Sequence, residues 1–153
     1  MLIKPFVEEK DVILVKYQFL KNTGFLVVKR NGHPFIVLTT NGNHGYCVCA
    51  TSSDRQDYSI PIPNINLKGN RNKGQTYAVC SAIYKFDISQ KTPHPNIGFK
   101  TREKILDQLN QNYLDNIIIL DDAAIEFAQL NDIEIPIQAP VAESRERQYT
   151  YNL

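Results

Sequence analysis

Short hydrophobic runs separated by turn residues fill the first 90 positions of the chain. Each run is rich in Val, Ile, Tyr or Phe and is bounded by Gly, Asn or Pro, which is the pattern of β-strands. The pairs Asn31-Gly32 and Asn41-Gly42 are hairpin signals, because Asn and Gly tolerate the backbone angles of tight turns. The pattern predicts strands at 12–17, 24–29, 33–38, 46–51, 58–63 and 76–87.

Two of these strand predictions need more detail, one because of its prolines and the other because of its length. Pro61 and Pro63 restrict the strand at 58–63 to a sheet edge or a strand end, because proline lacks the amide hydrogen that a central strand uses. The polar, basic stretch 64–75 is predicted to be a loop. The run at 76–87 is long enough to be divided into two strands.

The apolar spacing changes to a helical period after residue 98. Thr101 is predicted to cap a helix that ends near Tyr113. Asp121-Asp122 is predicted to cap a second helix that continues to about Asn131. The predicted core positions are Ile105, Leu106 and Leu109 in the first helix and Ile125, Phe127 and Leu130 in the second.

Strands followed by helices indicate an α+β fold rather than an alternating α/β fold. We therefore predict a single domain over residues 1–153, with a small antiparallel β-barrel at about 10–90 and C-terminal helices at about 100–137. The apolar run at 117–120 fits either a helix or a strand, and 133–137 fits a short strand. The polar stretch 139–153 is predicted to be a frayed tail.

Length and composition fit one globular domain. The chain has 153 residues, of which 42% are hydrophobic and 22% charged, and its apolar runs fall short of the roughly 20 residues that a membrane span needs. Glu8, Glu9 and Asp11 follow the N-terminus closely, so no secretory signal is expected. Three cysteines, an odd number, provide no disulfide framework, and we expect a reducing, cytoplasmic environment.

The net charge of +1 hides a division along the chain. Residues 1–104 contain fifteen basic and seven acidic residues, a net +8, whereas residues 105–153 contain two basic and nine acidic residues, a net −7. A basic body beside an acidic C-terminal part suggests contact with a polyanion such as a nucleic acid. The same division also occurs where a dipolar surface serves only to keep a protein in solution.

Residues capable of phosphate chemistry flank two neighbouring predicted strands. His33 begins the third strand, and Thr51 and Ser52 end the fourth. If these strands pair in antiparallel order, the start of one faces the end of the other, so His33 and Thr51 share one rim of the sheet. Arg30 and Arg55 lie close by in the sequence and offer guanidinium groups for bidentate phosphate binding.

These residues also have purely structural interpretations. A His before a Pro at a strand start is commonly a surface or capping residue, and the hydroxyls of Thr51 and Ser52 can satisfy local backbone groups. The soft metal ligands that the sequence offers are His44, Cys47, Cys49 and Cys80. Because their spacing is not that of a zinc knuckle, no metal site is predicted and the cysteines are interpreted as buried free thiols.

The order of these segments resembles the MazF/PemK family of toxin endoribonucleases over roughly residues 10–90. The segment 11–17 is similar to the family's first strand, and His33-Pro34 stands where the family has an Arg-Pro pair leading into a strand. Ala50-Thr51-Ser52 is similar to a family strand that ends in Thr-Ser. The Pro-flanked run 58–63 and the strand 76–83 follow in the family's order. The type III toxins similar to ToxN share this fold and fit equally well.

The resemblance implies an SH3-like barrel and an endoribonuclease that cleaves single-stranded RNA without a metal ion or another cofactor. His33 stands where the family has an Arg held to be catalytic. This departure leaves three interpretations open: inactivity, a changed mechanism, or transfer of the role to Arg30, three residues upstream. His33 is a reasonable substitute because imidazole exchanges a proton near neutral pH. The predicted catalytic residues are His33, Thr51, Ser52 and Arg30. The predicted RNA-binding residues, basic side chains for phosphates and aromatic rings for base stacking, are Arg55, Lys68, Arg71, Lys73, Tyr17 and Phe25.

The resemblance also implies partners for the chain. These are single-stranded RNA, a cognate antitoxin that is either protein or RNA, and a second copy of the chain in a homo-oligomer; no membrane is expected. The alternative is a non-enzymatic SH3-like binding module, or an inactive toxin relative that binds nucleic acid or protein. In that case His33 and the neighbouring hydroxyls are structural.

Overall fold

A computed structural model describes residues 7–15, 32–52, 59–63, 75–89, 91–93 and 97–136. Its elements are β1 (Val12–Val15), β2 (His33–Asn41), β3 (His44–Thr51), β4 (Ser59–Ile62), β5 (Thr76–Asp87), α1 (Phe99–Leu114) and α2 (Asp122–Leu130). Strands followed by helices confirm the predicted α+β fold. The predicted strand at 24–29 lies outside the described residues.

The five strands form one antiparallel sheet in the order β1-β2-β3-β5-β4. Within the described residues this sheet is open, because its edge strands β1 and β4 do not pair with each other there. The barrel predicted from the sequence is therefore an open sheet in this part of the chain. β4 lies at an edge, as Pro61 predicted, since an edge strand needs amide donors on one side only.

A tight turn at Gly42-Asn43 joins β2 to β3 and confirms the predicted hairpin. Asn41 pairs with His44 across this turn, and Gly42 has a φ of 62°, a left-handed conformation that glycine adopts without steric cost. The ladder runs on to Phe35, which lies level with Cys49. The start of β2 and the end of β3 therefore lie at the same end of the sheet.

β5 is one continuous strand, but its middle is irregular. Cys47 of β3 pairs with Tyr84 and Cys49 pairs with Val79, so residues 80–83 of β5 lie opposite a single residue of β3. An irregular stretch of this kind leaves carbonyls outside the ladder. Asn112 Nδ2 donates to the Cys80 carbonyl at 2.7 Å, and the Ile119 amide donates to the Ser81 carbonyl at 3.1 Å. The predicted division of this strand is thus a bend that α1 and the segment after it hold in place.

Both faces of the sheet are buried, and strand alternation separates them into two hydrophobic clusters. Phe35 and Ile36 are neighbours in the sequence yet belong to different clusters. The helix face packs against α1 and α2, and its members include Val12, Ile36, Val48, Ala78, Ile105, Leu109 and Phe127. The opposite face, called the His33 face below, includes Ile13, Phe35, Cys47, Cys49 and Phe86.

The beginning of α1 differs from the prediction. The helix starts at Phe99 with Gly98 as its N-cap, so the predicted cap at Thr101 is wrong. Thr101 is instead buried, because it continues the inward-facing stripe that passes through Ile105 and Leu109 at intervals of four residues. The predicted apolar positions Ile105 and Leu109 are confirmed as buried, and Leu106 is partly buried against the same cluster.

The cap of α2 is confirmed, but two of its predicted core positions are wrong. The Asp121 carboxylate accepts a hydrogen bond from the Ala124 amide at 2.9 Å. Phe127 is buried as predicted, whereas Ile125 and Leu130 are 37% and 44% exposed. The buried stripe is completed by Ala124 and Ala128, whose small side chains let the helix approach the sheet closely.

The remaining C-terminal segments are irregular. The run 117–120 is neither helix nor strand, although Ile118 is buried. Residues 133–136 are not a strand, so the short strand predicted there is wrong for the described residues. Neither described helix is long and apolar enough to cross a lipid bilayer.

Candidate functional site

The hairpin pairing brings His33 and Thr51 to one end of the sheet. Phe35 pairs with Cys49, so His33, two residues before Phe35, and Thr51, two residues after Cys49, lie at the same end of the sheet. Because side chains alternate along a strand, both belong to the His33 face. Val15 pairs with His33 and Tyr77 pairs with Thr51, and these four residues define what we call the His33 end of the sheet.

The imidazole of His33 is buried and oriented. Only 8% of the residue is exposed, so the interpretation of His33 as a surface residue is wrong. Its Nε2 lies 2.9 Å from the Cys49 Sγ, and its ring meets the Phe35 ring edge-on at a centroid distance of 5.6 Å. A hydrogen bond on one side and an aromatic contact on another restrict the rotation of the ring.

The hydroxyl residues at this end are more accessible than His33. Thr51 is half-buried at the last position of β3, and Ser52 follows it in an exposed bend. Their position after a strand end, at the level of a histidine, is compatible with hydrogen-bond donation to a phosphate. Their assignment as site residues stays a prediction.

The other predicted site residues lie outside the described residues. These are Arg30, Arg55, Lys68, Arg71, Lys73, Tyr17 and Phe25. The described residues that flank their segments include Val15, Gly32, Ser52, Pro63 and Gln75, all next to strand ends at the His33 end of the sheet. The segments 16–31 and 64–74 are therefore connected to the sheet at the end where His33 lies. The segment 53–58 leaves the sheet at that end and returns to it at Ser59, which pairs with Val79.

The three cysteines are buried free thiols, as predicted. Burial raises the pKa of the Cys47 thiol, and it raises the pKa of the Cys80 thiol to about 12, so both are protonated at neutral pH. Among the described residues, no group of three or more His, Cys, Asp and Glu side chains is arranged to hold a metal ion. The Cys49 thiol differs from the other two because its sulfur contacts the His33 imidazole.

A second polar cluster, which the sequence did not predict, lies on the helix face near the β2–β3 turn. The Glu126 carboxylate accepts hydrogen bonds from the Tyr46 hydroxyl at 2.6 Å and from Lys85 Nζ at 2.7 Å. These donors, Lys85 first, lower the pKa of Glu126. Burial, followed by the hydrogen bond to Glu126, raises the pKa of Tyr46. The cluster joins α2 to β3 and β5, and it is structural because its groups satisfy one another.

Comparison with solved structures identifies the fold. The chain is similar to a MazE–MazF crystal structure (Form II) from Deinococcus radiodurans, with a TM-score of 0.50 and 7% identity over 71% of this chain and 95% of that one. Form III of the same complex gives a TM-score of 0.47 at 7% identity over 74% of this chain and 99% of that one. No family model matches the sequence, and no curated protein matches it. The Form II likeness confirms the MazF-like fold.

Proposed function

We propose that this protein is a MazF-like endoribonuclease that cleaves single-stranded RNA without a metal ion. The observation that carries the proposal is the position of His33 at the start of β2, at the same end of the sheet as Thr51 at the end of β3, on a MazF-like fold. This is the rim at which an imidazole and hydroxyl groups are expected to act on a phosphate. The basic charge of residues 1–104, a net +8 from fifteen basic and seven acidic residues, supports attraction of an RNA strand.

The chemistry assigned to these residues is attack of the RNA 2′-oxygen on the adjacent phosphorus. A base removes the 2′-OH proton as the O2′–P bond forms, and an acid protonates the 5′-oxygen as the P–O5′ bond breaks. The products are a 2′,3′-cyclic phosphate and a 5′-hydroxyl. His33 is assigned as base or acid, and Thr51 and Ser52 as donors to the charged phosphorane. Arg30 and Arg55 are assigned to the phosphate oxygens.

The proposal includes partners. The similar crystal structure holds MazE together with MazF. By analogy we assign to this chain a neutralising protein partner, with an RNA antitoxin as the alternative, and a homo-oligomeric state. Three free thiols suit a reducing compartment such as the cytoplasm.

One observation favours a second candidate function. His33 is buried against Cys49 and Phe35, which is also the environment of a structural histidine. In that case the protein is a binding module with a MazF-like fold, and the rim binds RNA or protein without cleaving it.

Cleavage of single-stranded RNA by the purified protein in EDTA separates the two candidates. The endoribonuclease leaves 2′,3′-cyclic phosphate ends, and His33→Gln, which keeps a polar side chain of similar size, lowers the rate by about 10²–10⁴-fold. The matched control is His44→Gln, because His44 is exposed at the opposite end of β3.

The outcomes assign the function. Equal rates for His33→Gln and the wild type would remove His33 from the reaction. If the wild type leaves every RNA intact but binds it with an affinity that falls steeply with salt, the chain is a nucleic-acid-binding module. Circular dichroism of both variants checks that they are folded.

A further inference from the structure

We infer that Tyr77 is an RNA-binding residue, and that its ring stacks on an unpaired base of the bound strand beside Thr51. This inference rests on the proposed function in one respect, namely that the His33 end of the sheet binds single-stranded RNA. It adds a contact with a base, whereas His33, Thr51 and Ser52 are assigned to the phosphate. It does not depend on which group transfers the protons of the cleavage step.

Strand pairing places Tyr77 beside Thr51 on the His33 face. Tyr77 of β5 pairs with Thr51 of β3 on one side and with Pro61 of β4 on the other. The next residue, Ala78, is buried in the cluster of the helix face, and Val79 packs against the cluster of the His33 face. Because side chains alternate along a strand, Tyr77 belongs with Val79 to the His33 face. Paired residues have their Cβ atoms about 4.5–5.5 Å apart, so the side chains of Tyr77 and Thr51 are neighbours.

Tyr77 differs in its packing from Phe35, Tyr84 and Phe86, which lie on the same face. The Phe35 ring meets the rings of Tyr84 and Phe86 edge-on, at centroid distances of 5.2 and 5.0 Å, and Tyr84 stacks on Phe86. Tyr77 is half-buried, and among the residues that the structure describes it belongs neither to this aromatic group nor to the side chains packed against the two clusters. The packing of the core therefore does not account for an aromatic ring at this position.

An accessible aromatic ring on a sheet face suits an unpaired nucleobase. Proteins that bind single-stranded nucleic acids stack bases on aromatic side chains, because every base has a π-face. The base lies on the Tyr77 ring, and the phosphate of the same nucleotide extends towards Thr51, the neighbouring residue on β3. Bases inside a duplex are already stacked on one another, so this contact selects single-stranded RNA.

Binding of a cleavage-resistant RNA measures the contribution of the ring. The probe is a short single-stranded RNA of mixed sequence in which every 2′-oxygen is methylated, so that the attacking oxygen is blocked. Tyr77→Leu removes the ring but keeps an apolar side chain, and it is expected to weaken binding by about 5–150-fold. Tyr77→Phe keeps the ring and should bind like the wild type. Because Tyr77 is uncharged, the salt dependence of binding should be the same in all three proteins.

Phe99→Leu is the matched control. Phe99 is 65% exposed and lies at the start of α1, which packs against the opposite face of the sheet. It is a more accessible ring than Tyr77, and it has the basic neighbours Lys100 and Arg102. Phe99→Leu should nevertheless bind the probe like the wild type. Equal losses in Phe99→Leu and Tyr77→Leu would refute a specific role of Tyr77.

A series of abasic probes identifies the stacked base. Removing one base at a time leaves every phosphate of the probe in place. One abasic position is expected to weaken binding to the wild type. The same position should have no effect on binding to Tyr77→Leu, because the ring on which that base stacks is already absent. Abasic effects that are the same in both proteins at every position would refute the stacking.

The stacking and the proposed function can fail separately. Cleavage of unmodified RNA by the wild type, together with unchanged probe binding by Tyr77→Leu, would refute the stacking and leave the endoribonuclease intact. Probe binding that depends on Tyr77, without cleavage of unmodified RNA, would refute the endoribonuclease and leave the stacking intact. No binding of the probe by the wild type would refute both.

A fluorescent variant decides if circular dichroism shows that Tyr77→Leu does not fold. The natural chain contains no tryptophan, so Tyr77→Trp places a single reporter at this position. Stacking on a base is expected to quench its fluorescence when the probe binds. Unchanged fluorescence at a saturating concentration of the probe would refute the stacking.

Discussion

Replacing Asn112 by Ala tests how the bend in β5 is stabilised. Asn112 is 1% exposed, and its Nδ2 donates to the Cys80 carbonyl at 2.7 Å while its Oδ1 accepts from Gln108 Nε2 at 2.9 Å. Removing the amide leaves a buried carbonyl without that donor, which costs about 1–3 kcal/mol. The higher helix propensity of Ala returns up to about 0.7 kcal/mol, whereas the small cavity adds to the loss. We expect a net destabilisation of about 2 kcal/mol.

Urea unfolding followed by circular dichroism measures this loss, which corresponds to a fall in Tm of about 4–8 °C for a chain of this size. Asn110→Ala is the matched control, because Asn110 is exposed on the same helix and its replacement should change the free energy of unfolding by less than about 0.5 kcal/mol. Asn112→Asp keeps the shape but replaces the amide donor by an oxygen, so it should lose at least as much as Asn112→Ala. Equal stabilities of Asn112→Ala and Asn110→Ala would refute the role of Asn112 at the bend.

Two further substitutions test other polar contacts. Hydrogen bonds lower the pKa of Glu126 in the folded protein. Its carboxylate therefore stabilises the fold above the pKa of an unfolded glutamate, about 4.3, and this contribution is lost as the pH falls through the pKa of the folded state. Glu126→Gln should therefore have a lower Tm than the wild type at pH 7, with the gap closing below about pH 4; a gap independent of pH would contradict the pairing. Arg102 Nε donates to the carbonyl of the bulged, buried Leu38 at 2.9 Å, so Arg102→Met should lower the free energy of unfolding in urea by about 1–3 kcal/mol. Lys100→Met, on the exposed side of the same helix, is its control, and equal losses would show that the Leu38 carbonyl does not need Arg102.

The elements of the fold could be predicted where the signal is local. Gly42 and its neighbours specify a turn through their own backbone preferences, and the strands on either side pair because the turn leaves them adjacent. Pro61 marked an edge strand for a similarly local reason. The Asp121 cap needed only a carboxylate three residues before the amide that it accepts from.

Positions that depend on tertiary packing could not be predicted. Thr101 was interpreted as a cap because threonine favours that position, whereas the stripe of α1 buries it. Ile125 and Leu130 are more hydrophobic than Ala124 and Ala128, but a helix packed closely on a sheet needs the small residues inside. The length of the run 76–87 indicated an interruption. Residues 80–83 do not show how it is stabilised, because Asn112 and Ile119 complete its hydrogen bonds from about 30 to 40 positions away.

The candidate site likewise has one feature that the sequence predicts and another that depends on tertiary packing. His33 and Thr51 lie at the same end of the sheet because β2 and β3 pair in antiparallel order, and the hairpin signals predicted this pairing. The contact between His33 and Cys49 does not follow from the sequence in the same manner, because it depends on how deeply the imidazole is buried and on the direction of the thiol. Cys49 lies two residues before the end of β3, and that strand end lies beside His33. This position indicates a contact with His33 only once the register of β2 and β3 is known.

Exposed carboxylates lie on the helix side of the sheet. The helix face is covered by α1 and α2, which carry or adjoin exposed carboxylates at Asp107, Asp115, Asp122 and Asp132. An RNA phosphate near these groups is repelled, and the repulsion is screened beyond about 8 Å at physiological ionic strength. The surroundings of these carboxylates are thus unfavourable for a polyanion, whereas Lys100, Arg102 and Lys104 make the beginning of α1 basic.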